Sequence, residues 1–125
     1  MTEEHEIKHD SYGLPEEMLT EVVATFKALS DPTRAQLLYI LTQGEHSVTE
    51  LSEYVPVSAS AVSHHLAKLR ALGLVHVHRE GNKIFYSIDD SHVASLFKEA
   101  LYHLDHTRHS LLDMPYKTYV EYLNE

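Results

Sequence analysis

A chain of 125 residues suits one domain, large enough for a core of its own and with surface left over for a partner. Its apolar content of 43% is ordinary for a globular protein, and the absence of cysteine excludes disulfides, thiol redox chemistry and thiolate metal sites. No apolar run approaches the ~18 residues of a membrane span and the acidic start, Met1 to Asp10, is no signal peptide, so the cytoplasm is the expected compartment; a net charge of −9, evenly spread, would tell against nucleic acid.

Residues 1–13 are polar, end at Gly13 and are expected to form a flexible arm. From Leu14 to Leu29 apolar residues recur at Leu14, Met18, Val22, Phe26 and Leu29, a helical period. Ser30-Asp31-Pro32 breaks the chain and restarts it, with Asp31 as cap and Pro32 in the first helical position, and Ala35, Leu37, Leu38, Ile40 and Leu41 supply core. Gly44 ends that helix. Ser47-Val48-Thr49-Glu50 has the capping-box pattern and opens a short helix to about Tyr54, before Pro56 interrupts. Ser58 or Ser60 starts the next helix, with Val62, Leu66 and Leu69 inward and Gly73 as its stop. The period then switches to two. Leu74 to Arg79 and Lys83 to Ile88 read as strands joined through Glu80-Gly81-Asn82, a hairpin. A long helix from Asp89 to about His109 follows, and residues 110–125 form a C-terminal tail with Tyr116, Tyr119, Tyr122 and Leu123 at helical spacing.

Charge is segregated along the chain. Residues 1–57 hold three basic and eleven acidic side chains and residues 84–125 hold three and seven, whereas between Ser58 and Lys83 the bases Lys68, Arg70, Arg79 and Lys83 oppose Glu80 alone. Local charge is what a phosphate backbone meets first. A short capped helix, a turn, a second helix and a hairpin make the order of a winged helix-turn-helix, whose second helix enters the major groove and whose hairpin reaches the backbone. Mainly α with a β-hairpin wing is therefore the expected fold class. Ser58, Ser60, Ser63, His64 and Lys68 are the side chains expected at DNA, because a small, hydroxyl-rich helix start lets the backbone approach closely. Arg79 and Lys83 flank the wing tip.

The last helix carries a second pattern. Asp90, His92, His103 and His106 read D-x-H, ten residues, then H-x-x-H. At roughly 1.5 Å per residue the two halves stand about 16 Å apart. A metal–nitrogen bond is about 2 Å. One helix cannot wrap these ligands around one ion, but two antiparallel copies can, each chain giving half of two symmetric sites. That implies a homodimer with metal across its interface. Nitrogen and oxygen donors without sulfur suit zinc, cobalt or nickel, and four of them with no open position suit a closed tetrahedral zinc(II) or cobalt(II) site. Nickel(II) prefers more ligands, which His109, or His5 and His9, would supply. A metal-dependent hydrolase would need an open coordination position and a nearby base; no H-E-x-x-H and no suitable carboxylate pair is present, so the chain is not expected to be an enzyme. A winged-helix regulator with an organic ligand is the further alternative.

These motifs together resemble the ArsR/SmtB, or arsenic-repressor-like, family of bacterial metal-sensing transcriptional repressors. Phe26 to Arg34, Ser58 to Leu72 and Glu80 to Ser87 carry the resemblance, which covers roughly residues 14–109 as one DNA-binding and dimerisation domain. The resemblance implies a dimer built from the first and last long helices and set on a palindromic operator. It also implies release when metal binds, derepressing metal efflux or resistance genes. The cysteine site that some members place before the recognition helix is missing here. Asp90, His92, His103 and His106 match the terminal-helix site of the zinc and cobalt sensors residue by residue. Ala59 departs from the family, where a larger polar residue often stands.

Overall fold

The computed structural model describes residues 12–88, 91–110 and 121, with residues 105–110 as helical backbone. Asp90, the arm's His5 and His9, and the tail apart from Ser110 and Glu121 lie outside the described residues. The chain divides after Asp89 into two compact units.

In the first unit, helix α1 spans Glu16–Leu29 and starts two residues later than the apolar period suggests. Pro15 stands at its cap with φ −55, the angle its ring enforces. Glu16 and Glu17 in the first turn and Lys27 in the last complement the helix dipole. Helix α2 spans Pro32–Leu41. The Arg34 amide donates to Asp31 Oδ2 at 2.9 Å, and Pro32 at the first position has no N–H to leave unpaired.

Helix α3, Val48–Ser52, opens with the expected capping box: the Glu50 amide donates to Ser47 Oγ at 3.2 Å and the Ser47 amide to Glu50 Oε1 at 2.8 Å. It ends before Tyr54 because the amides of Glu53 and Tyr54 turn to carbonyls three residues back, a tighter winding that leads into Pro56. Helix α4 spans Ala59–Ala71 with Ser58 as cap. It closes in a Schellman arrangement: Leu74 N–H donates to Leu69 C=O and Gly73 N–H to Arg70 C=O, with Gly73 at φ +73 where a side chain would be strained.

Strands β2, Val75–Glu80, and β3, Lys83–Ile88, form the hairpin around Gly81-Asn82, with Gly81 at φ +64. A third strand, β1 at His46–Ser47, pairs antiparallel with β3 and gives the order β1-β3-β2. It was not expected. Two residues cannot display an alternation, and one of them also caps α3. The core joins Leu37, Leu38 and Leu41 of α2, Leu51 of α3, Val62, Leu66 and Leu69 of α4, and Leu74 and Val75 at the start of the hairpin. Each buried leucine or valine is worth roughly 1.5–3 kcal/mol against exposure. By contrast α1 leaves Leu19, Val22, Val23 and Phe26 exposed, Phe26 at 59%, and buries only Ala28.

The second unit contains helix α5, Ser91–Ser110, continuous over 20 residues. Leu96, Leu101, Tyr102 and Leu104 are exposed on it.

Candidate nucleic-acid interface and metal-ligand helix

Val62, Leu66 and Leu69 recur at helical spacing and fix one face of α4 in the core. The opposite face is thereby fixed too. Ser60, Ser63, His64 and Lys68 are all exposed, and Ala59, Ala67 and Ala71 keep the surface between them low. At about 100° per residue Ser60, His64 and Ala67 lie within about 60° of one another. Ser58 accepts the Ala61 amide on its Oγ at 3.1 Å, so it anchors the helix start; its hydroxyl proton can still be donated.

Arg34 braces this helix from behind. Its Nε donates to the Ala28 carbonyl at 3.0 Å, and its Nη1 stands 3.4 Å from His65 Nδ1. A guanidinium only donates, so Nδ1 must accept and His65 carries its proton on Nε2. The end of α1, the start of α2 and the middle of α4 meet in this one side chain. Asp31 completes the elbow: the Arg34 amide chiefly, helped by the Arg34 charge, holds its carboxyl below the ordinary range against the opposing cost of burial. Sequence reasoning missed Arg34 and His65 as a pair, because they are 31 residues apart.

The wing places its two cations less symmetrically than their flanking positions suggest. Glu80 pairs with Lys83 and Arg79 with Ile84. Paired residues share a face of a pleated ribbon, so Arg79 and Lys83 project from opposite faces, both exposed. Lys83's face is further occupied by histidines: His78 stacks on Phe85 at 5.6 Å and contacts Glu45 Oε2 at 3.2 Å, while His76 Nε2 lies 3.0 Å from Ser87 Oγ.

On α5, His92 and His103 are exposed and lie within about 20° of each other around the axis. His106 belongs to the same helix through its backbone; Asp90, which precedes it in sequence, lies outside the described residues. Among the described residues no three histidine or carboxylate side chains come together as a metal site. The donor chemistry fits a borderline divalent ion: imidazoles on one helix side, and no thiolate anywhere in the chain.

A short helix and an exposed second helix followed by a two-stranded wing define a winged helix-turn-helix, a DNA-binding architecture. Residues 31–77 match the family described as bacterial regulatory protein, arsR family. The transcriptional regulators KmtR and NmtR of Mycobacterium tuberculosis are each 43% identical to this chain, over 74% of it and 72% of KmtR, and over 82% of it and 86% of NmtR. A cadmium resistance transcriptional regulatory protein, the CadC homolog of Staphylococcus aureus, is 39% identical over 66% of this chain and 69% of its own length. Among solved structures, a homodimeric winged helix-turn-helix DNA-binding domain from Mycobacterium bovis superposes with a TM-score of 0.70 at 31% identity, covering 79% of this chain and 95% of that one. The chain belongs to the arsR family of bacterial regulatory proteins. It is a transcriptional regulator and not an enzyme.

Proposed function

We propose that this protein is a cytoplasmic, homodimeric repressor that binds a palindromic operator and is released by zinc(II), or cobalt(II), bound between the two chains, derepressing metal efflux or resistance genes. The observation that carries the metal reading is the unbroken course of α5. His92 and His103 are eleven residues apart on one continuous helix, about 16 Å, so they cannot share an ion within one chain. Asp90 and His92 of one chain with His103 and His106 of its partner make a complete set of four. Bound there, the ion would tie one terminal helix to the other.

Dimerisation is supported by the apolar residues that α1 leaves exposed at helical spacing on one face, Leu19, Val22, Val23 and Phe26, since clustered exposed apolar residues mark interaction surfaces. A homodimeric relative points the same way, and a relative named for cadmium resistance supports a metal as the ligand. Ser58, Ser60, Ser63, His64 and Lys68 then face the major groove, and Arg79 and Lys83 the flanking backbone. Because they project from opposite faces of the wing, only one of the two is expected to lie flat along a phosphate strand while the other reaches around the tip.

Operator binding followed by fluorescence anisotropy, with and without zinc, tests this reading. Zinc should weaken binding roughly 5- to 150-fold, the range of a coupling of about 1–3 kcal/mol, and operator DNA should weaken zinc binding by the same factor. An operator affinity indifferent to zinc, cobalt and nickel would leave the regulator with some other ligand.

A further inference from the structure

Three cations from three helices line one groove: Lys27 near the end of α1, Arg34 in the first turn of α2 and Lys68 on α4, over a floor of alanines and Leu72. The groove has a volume of about 360 Å³ and no carboxylate in its lining. That departs from the composition, since the chain has 19 acidic residues against ten basic. Among the described residues no ion pair takes up Lys27 or Lys68. Asp31, the acidic neighbour of Arg34, is engaged by the Arg34 amide. The guanidinium itself is oriented from behind by the Ala28 carbonyl and His65, which leaves its remaining N–H groups for a ligand.

We infer that this groove holds a phosphate of the DNA backbone, which makes Lys27 and Arg34 DNA contacts outside the recognition helix and the wing. The inference rests on the DNA-binding reading above. Lys68 follows His64 by one helical turn on the exposed side of α4, so the groove continues the surface assigned to the major groove. A backbone phosphate beside the bases read by Ser60 and His64 falls where that surface ends. The groove is open, and among the described residues no polar side chain is buried to enclose a free anion. A duplex, itself an extended surface, suits that shape. An Arg and two Lys around one phosphate supply charge and orientation without reading sequence.

Lys27→Gln tests the site without disturbing the Arg34 brace, and Lys27→Glu reverses the charge. Binding to the operator and to a scrambled duplex is measured by anisotropy from low to high salt. The slope of log affinity against log salt should fall by about 0.9 for each Lys27 engaged, so by about 1.8 in a symmetric dimer, with the operator-to-scrambled ratio unchanged. The Glu variant should lose more affinity on both duplexes. Unchanged slopes in both variants overturn the inference. So does saturable binding of inorganic phosphate by calorimetry that Lys27→Gln abolishes while leaving the DNA salt slope intact, which would give the groove to a small anion. If the wild type fails to distinguish operator from scrambled DNA, the operator reading is at fault, but the slope on the scrambled duplex still decides the groove.

Discussion

Ser63 and His64 stand exposed on a helix held in place by Val62 and Leu66, so their side chains can be removed without loosening the core. Replacing both by alanine should reduce the preference for operator over scrambled DNA by at least about tenfold, since a lost base contact costs about 1–3 kcal/mol of discrimination. The dimer and its zinc affinity should be unchanged. Equal operator preference in the double variant, read by competition anisotropy, would show that α4 is not the reading helix. At this scale the sequence was informative where one residue does one local job. Ser47, Glu50 and Asp31 announce their caps by type and offset alone, whereas Ser58 and Ser60 were equal candidates until the structure put Ser58 at the cap. It was uninformative where a job is shared across distance. Lys27 sits in a stretch whose linear charge is acidic, and only the meeting of α1, α2 and α4 puts it beside Arg34 and Lys68.

Among the elements, α2 depends on an ionised cap. The carboxyl of Asp31 is held below its ordinary value of 3.8, chiefly by the hydrogen bond from the Arg34 amide. A carboxyl whose folded pKa is depressed contributes stability that is fully present above the unfolded pKa and is lost as pH falls through the folded one. Asparagine is also a good cap. Asp31→Asn should therefore change stability little at neutral pH and flatten the loss of stability below about pH 4, as followed by circular dichroism during acid titration. An acid limb as steep as that of the wild type would remove Asp31 from the account. Glu50, lowered first by the Ser47 amide and then by the Ser47 hydroxyl, adds to the same limb in both proteins. The elements themselves were largely legible. Among the described residues, the five helices and the hairpin follow from periodicity, glycine and caps, and the differences there are ends of one or two residues. Strand β1 was invisible because its pairing with Tyr86 and Phe85 is a tertiary fact carried by only His46 and Ser47. The helical period of α1 was legible, but not that Val22 and Phe26 stay uncovered within the chain, since a period states which residues share a face and not what covers it.

For the whole molecule, the account turns on two copies acting as one. The exposed apolar face of α1 leaves a single chain incomplete in packing, and under the proposed reading the separated histidines of α5 leave it incomplete in coordination. In the proposed dimer, two antiparallel terminal helices would repair the second by bringing Asp90 and His92 opposite His103 and His106 of the partner subunit. The most direct test is a mixed dimer, with Asp90→Ala and His92→Ala in one chain and His103→Ala and His106→Ala in the other. All four native ligands then survive on one side only. By calorimetry the wild-type dimer should bind two zinc ions, the mixed dimer one with near-native affinity, and each doubly substituted homodimer none. A mixed dimer that binds no zinc while the wild type binds two would contradict the shared site, and with it the proposal that metal acts by joining the chains.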